Sequence, residues 1–232
     1  MITVIAFDAD DTLWHNESLY NMTQSRFAEL LAPYHPPQEV EQRLYETEVR
    51  NLNFYGYGVK SFTLSMIETA IELSEGRVCG KEIQEIINFA RWMLNEPIEL
   101  LDGVEQTVVD LSKMYTLMVI TKGDLFDQES KVARSGLADY FTHVEIVSEK
   151  TPEVYRMLLE KHNIAPEQFL MAGNSVPSDV LPIVDIGGQA VHIPYHITWQ
   201  HEIVANNPTK PQDYFTLERI SQLPGLIAEI NK

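Results

Sequence analysis

The stretch Ile2-Thr3-Val4-Ile5-Ala6-Phe7-Asp8-Ala9-Asp10-Asp11-Thr12 decides how this chain is read. A short apolar run that ends at once in three carboxylates is a costly way to finish a buried strand. Crowded like charges disfavour one another unless a cation or a proton compensates them, so Asp8 and Asp10 point to a metal site or an acid/base pair. Residues two apart in an extended segment project to the same side. That lets Asp8 and Asp10 face one pocket, with Ala9 small enough for a ligand to approach the backbone. The plainer alternative is a polar turn in which Asp11 or Thr12 caps the next element. Alone, the motif leaves both readings open.

Three later apolar runs also end in residues suited to phosphate or a divalent cation. Tyr115-Thr116-Leu117-Met118-Val119-Ile120 leads into Thr121-Lys122-Gly123-Asp124, which offers a hydroxyl, backbone amides and a helix start. His143-Val144-Glu145-Ile146-Val147 is followed by Ser148-Glu149-Lys150, a cation near a strand end. Phe169-Leu170-Met171-Ala172-Gly173 opens into Asn174-Ser175-Val176-Pro177-Ser178-Asp179, with two more oxygen-bearing side chains in Asn174 and Asp179. In an open, mostly parallel sheet, the carboxyl edge of the strands is where ligands bind.

With these four segments in order, the chain resembles the haloacid dehalogenase-like hydrolase superfamily, in its phosphatase branch, over nearly its whole length. Asp8-Ala9-Asp10-Asp11-Thr12 matches the family's first motif, Thr121 its second and Lys150 its third. The fourth motif usually reads Gly-Asp and then a second Asp; here it reads Gly173-Asn174 with Asp179 further on. Lys150 is also separated by Thr151 from Pro152, where many relatives place the proline directly after the lysine. The resemblance implies a Rossmann-like, doubly wound, mostly parallel α/β core with a smaller helical cap inserted between the first two motifs. It further implies Mg²⁺ as cofactor, Asp8 as nucleophile and Asp10 as general acid and base. Ala9, Thr121, Lys122 and Lys150 would hold the phosphoryl group, and Asp8, Asp10, Asn174 and Asp179 the metal. The implied activity is hydrolysis of a small phosphomonoester through an aspartyl-phosphate. A mutase resembling β-phosphoglucomutase, a dehalogenase, and a phosphate-binding module without turnover are the alternatives.

The intervening residues fit that organisation. From about Ser18 to Asn95 the apolar spacing is helical, as in Phe27, Leu30, Leu31 and Ile83, Ile86, Ile87, Ala90, with breaks at Pro33 to Pro37 and Tyr55 to Gly58. This predicts about four helices and no strands, and a cap over residues 16–96 inserted into a core of residues 1–15 and 97–232. A helix is expected from Val104 to Met114, a further strand from Gln189 to Ile193, and a loop from Pro194 to Lys210 carrying His196, Trp199 and His201. Trp14, Tyr55 and Tyr57 are candidates for substrate selection, with ordinary packing as the alternative. Asp11, Asp102 and Asp124 read as turn or cap residues.

Composition narrows the partners. With 232 residues and 44% apolar content the chain is long enough for a sizeable core. Its formal charge of −17 argues against a nucleic-acid polymer or an anionic membrane surface, both of which need a basic footprint. The single Cys79 excludes an internal disulfide, and no apolar run reaches membrane-spanning length. A cytoplasmic enzyme acting on a small phosphorylated metabolite is expected; the oligomeric state is not encoded in any pattern.

Overall fold

The computed structural model describes residues 1–197 and 214–232. Six parallel strands make one sheet: β1 (Val4–Phe7), β2 (Thr116–Lys122), β3 (His143–Val147), β4 (Phe169–Gly173), β5 (Gln189–His192) and β6 (Phe215–Thr216), in the order β3-β2-β1-β4-β5-β6. The chain lays β2 and β3 on one side of β1 and β4 to β6 on the other. The loops that leave β1 and β4 therefore diverge, opening the crevice at the carboxyl edge where doubly wound sheets bind ligands.

The central strands are apolar on both faces because helices cover both. Ile5, Phe7, Leu117, Val119, Leu170 and Ala172 pack with residues of α5 (Val104–Ser112), α6 (Leu125–Arg134) and α9 (Leu223–Ile230). Their alternating neighbours Val4, Ala6, Met118, Ile120, Phe169 and Met171 pack with α7 (Pro152–Lys161) and α8 (Leu181–Asp185). Each fully buried side chain of this size contributes roughly 1.5–3 kcal/mol, so register is strongly fixed: a slip of one residue would exchange the two faces.

The described chain divides into two compact units. The sheet unit comprises Met1–Asn16, Ile98–Lys122 and Glu129–Lys232; the helical unit comprises Glu17–Pro97 with Gly123–Gln128. The helical unit contains α1 (Glu17–Leu31), α2 (Pro37–Tyr55), α3 (Val59–Leu73) and α4 (Gly80–Asn95) around its own apolar core, which includes Phe27, Leu44, Met66 and Ile86. Pro37 opens α2 at a position where a missing N–H costs nothing. Gly56 (φ 67°) and Gly58 (φ 107°) turn the chain into α3 in a conformation other residues resist.

Small differences from the sequence reading sit at element ends. Helix α5 stops at Ser112, and the Met114 and Tyr115 N–H groups bond back to Leu111 in a terminal turn. Strand β5 ends at His192, although the Ile193 N–H still reaches the Gly173 carbonyl. Strand β6 was not expected, being too short for any pattern to show. Trp199 and His201 lie outside the described residues. Among the described residues no helix is long and apolar enough to cross a membrane.

Candidate active site

Asp8 follows β1 directly, and its N–H bonds to the Ala172 carbonyl of β4 as though the strand continued. Beyond it the chain turns sharply. The Thr12 and Leu13 N–H groups return to the Ala9 carbonyl, and Asp11 adopts a left-handed conformation (φ 62°) with its N–H on the Trp14 carbonyl. Asp11 Oδ1 accepts the Asn16 N–H at 2.9 Å, the turn role its sequence context predicted.

Two side chains converge on Asp8. Lys150 Nζ donates to Asp8 Oδ1 at 2.5 Å and to Asp179 Oδ1 at 2.6 Å, with only 2% of the lysine side chain exposed. Thr12 Oγ1 lies 3.1 Å from Asp8 Oδ2 and 3.2 Å from Asn174 Oδ1, and accepts the Asn174 N–H at 3.1 Å. One hydroxyl thus ties the ends of β1 and β4 together. Asp179 is locked by the Ser175 N–H on Oδ2, at 3.0 Å. It sits so close to Gly173 that a Cβ there would lie 2.2 Å from Oδ2, so only glycine fits. The Thr151 insertion has a local explanation. Its hydroxyl accepts the Val154 N–H as the N-cap of α7, with Pro152 in the first turn, and Lys150 still reaches Asp8.

Burial pushes the Asp8 carboxyl up to about 7, with Lys150 opposing and Asp179 and Asp10 adding to the rise. Burial works against the Lys150 ammonium as well, but Asp179 and Asp8 outweigh it and its pKa is raised.

Asp10 is held from the other face of the sheet. Trp14 Nε1 donates to its Oδ1 at 2.7 Å, and Lys131 Nζ lies 3.1 Å from each of its oxygens. Asp8 and Asp10 are close enough for Asp10 to raise the Asp8 pKa, yet each is gripped by its own lysine. Trp14 reads in the sequence either as a substrate-selecting residue or as ordinary packing. It is fully buried in the core, where its large ring packs, and its indole N–H supports Asp10.

The remaining candidates fall as follows. Thr121 is buried at the end of β2, its hydroxyl 3.4 Å from the Lys122 carbonyl. Lys122 Nζ donates to Ser178 Oγ at 3.0 Å. Ala9 is buried, with its carbonyl taken by the turn. Tyr55 is exposed and Tyr57 half-buried at the α2–α3 turn of the helical unit, and are described only within that unit. His192 is half-buried and its Nε2 bonds to the Asn174 carbonyl at 3.1 Å; since a carbonyl only accepts, that nitrogen carries hydrogen. Burial lowers the His192 pKa, which suits a neutral ring.

The sequence pattern of the family described as haloacid dehalogenase-like hydrolase matches residues 2–187. The chain belongs to the haloacid dehalogenase-like hydrolase family. A member of known structure from Xanthomonas campestris is 39% identical, with a TM-score of 0.87 over 99% of this chain and 91% of that one. The 5-amino-6-(5-phospho-D-ribitylamino)uracil phosphatase YigB of Escherichia coli (strain K12) is 24% identical over 83% of each chain. The glyceraldehyde 3-phosphate phosphatase of Pyrococcus furiosus is 25% identical over 84% of this chain and 81% of its own. The chain is thus a hydrolase of this family, with relatives in its phosphatase branch, as its motifs implied.

Two contributors to this hydrolase site were absent from the sequence reading, Lys131 and the bridging hydroxyl of Thr12. Thr12 sits inside the first motif and was weighed only as a cap. Lys131 offers no signal, since a lysine in an amphipathic helix reads as a solvated one.

Proposed function

We propose that this hydrolase is a Mg²⁺-dependent phosphatase that cleaves a small phosphomonoester through an aspartyl-phosphate on Asp8. The observation that carries the reading is the Asp8 carboxylate fixed at the sheet edge by Lys150 and Thr12. A phosphate ester resists an anionic nucleophile, so attack requires fixed geometry and neutralised charge.

The donor set fits a hard divalent cation. Asp8, Asp179, the Asn174 amide and the Asp10 backbone carbonyl are all oxygen ligands of the kind Mg²⁺ takes, and would hold it. With Asp10 carrying the proton its role requires, Asp8 and Asp179 face Lys122, Lys131 and Lys150, and a bound phosphate dianion leaves one negative charge uncompensated. When bound, Mg²⁺ compensates that charge and polarises the phosphoryl oxygens.

The protein's own residues carry the chemistry. An Asp8 oxygen attacks phosphorus as the bond to the leaving oxygen breaks, and Asp10 delivers a proton to that oxygen. Asp10 then takes a proton from the water that attacks the phosphorus, and the bond to Asp8 breaks, returning both groups to their starting state. Thr121, the Lys150 ammonium and the backbone amides of Ala9 and Lys122 hold the phosphoryl oxygens as charge redistributes. The helical unit takes the part of the cap, with Tyr55 and Tyr57 selecting the rest of the substrate. A small metabolite in the cytoplasm suits the acidic composition better than a polyanion does.

The test is phosphate release from a panel of small phosphomonoesters with and without Mg²⁺, in the wild type and in Asp8→Asn. Turnover that needs both the metal and Asp8 is the expected result. Release that survives Asp8→Asn, or no release from any ester, contradicts the reading.

A further inference from the structure

Lys131 stands in the part of α6 that belongs to the sheet unit, beside the buried Val132. Its side chain is 10% exposed, and its ammonium sits 3.1 Å from both Asp10 oxygens and 2.9 Å from Asn16 Oδ1. Asn16 is anchored in turn, its N–H bonded to Asp11. With the Trp14 indole on Asp10 Oδ1, the Asp10 carboxyl is held from two directions by donors that are themselves packed. A flexible lysine loses rotamer freedom and hydration in such a place, and fixed acceptors offset that cost. The two lysines divide the work, since Lys150 reaches Asp8 and Asp179 while Lys131 reaches Asp10.

We propose that Lys131 is a positioning residue for the proton-transfer step. It fixes the orientation of the Asp10 carboxyl toward the leaving oxygen and neither gains nor loses a proton itself. This inference rests on the phosphatase reading, in which Asp10 gives a proton to the leaving oxygen as its bond to phosphorus breaks. Orientation of a general acid matters most when the leaving group is a poor one. An alkoxide needs the proton, whereas p-nitrophenolate leaves without it.

The experiment compares first-turnover release of the leaving group from an alkyl phosphomonoester and from p-nitrophenyl phosphate, in Mg²⁺, for wild type, Lys131→Met, Lys131→Arg, Asp10→Asn and the Lys131→Met/Asp10→Asn double variant. Lys131→Met should slow alkyl ester cleavage by about 10- to 100-fold with KM little changed, and aryl ester cleavage by less than about threefold. Lys131→Arg should restore part of the loss, and the double variant should be no slower than Asp10→Asn alone. Equal losses on both esters, or losses that multiply in the double variant, would overturn the proposal. Should Lys131→Met fail to fold, Lys131→Gln keeps a donor toward Asp10 and carries the same two-ester comparison. Turnover surviving in Asp8→Asn would instead refute the phosphatase reading beneath it.

Discussion

Asp8 in the sheet unit and Glu48 in the helical unit are both 8% exposed carboxyl groups whose pKa burial raises, and they are handled in opposite ways. Asp8, pushed to about 7, has Lys150 on one oxygen and Thr12 on the other. Glu48, on α2, is pushed to about 8 by burial alone, and its Oε2 has no hydrogen-bond partner among the described residues. In one unit a buried carboxyl is met by a fixed ammonium and a hydroxyl. In the other, the same residue class meets no counter-charge, and burial favours its neutral form.

Removing the counter-charge in the sheet unit should erase the distinction with the largest effect. Lys150→Met leaves Asp8 and Asp179 buried without their shared ammonium, a loss of about 3–5 kcal/mol for a broken buried pair. Urea unfolding at pH 8 reads it, and Mg²⁺ should recover part of it. An unfolding midpoint unchanged from wild type would mean that Lys150 does not neutralise the pair.

Glu48 gives the converse case. Its folded pKa of about 8 lies above the ordinary 4.5, so between these values the folded state binds the extra proton and stability falls as pH rises. The contribution is fully present below about pH 4.5 and lost through about pH 8, up to about 4–5 kcal/mol in all. Glu48→Gln should match wild type near pH 4.5 and exceed it most at pH 9, in unfolding followed across pH. Parallel curves for the two proteins would show that Glu48 does not titrate as a buried acid.

A smaller change sharpens the sheet-unit side. Asn174 supplies an amide oxygen where relatives of the resemblance carry a carboxylate, so Asn174→Asp adds the missing charge. Calorimetry should show Mg²⁺ binding tighter by roughly tenfold, about 1.4 kcal/mol. Unchanged or weaker binding would place the metal elsewhere. Smallest of all, Tyr57→Ala in the helical unit should reorder the substrate panel by a few-fold in kcat/KM, on the order of 1 kcal/mol, with Mg²⁺ affinity unmoved. An unchanged ranking would remove Tyr57 from substrate selection.

The contrast also explains what was legible in the sequence. Strands β1, β2 and β4 are unbroken apolar runs because both faces of the sheet are covered, and their polar ends announce Asp8, Thr121 and Asn174. The helices of the helical unit follow from apolar spacing and from the Pro and Gly breaks at their ends. Lys150 could be placed only through the motif order, since the bridge to Asp8 joins residues far apart in the chain. Trp14 stays open in the sequence because tryptophan suits a ligand wall as well as a core, and its burial is set by tertiary packing. Lys131 and Glu48 escaped for one reason. A charged residue in a helix reads as solvated, and burial of such a group depends on tertiary packing that periodicity does not encode.

In the proposed reaction the lysine-held Asp8 becomes phosphorylated. Asp10→Asn enzyme mixed with p-nitrophenyl phosphate and Mg²⁺, quenched in acid, digested and mapped by mass spectrometry, tests it directly. A good leaving group permits the first step while the weakened base slows the second. The expected result is a phosphoryl group on Asp8, absent when Asp8→Asn is added. Nitrophenolate released with no adduct on Asp8, or with the adduct on another residue, would contradict it.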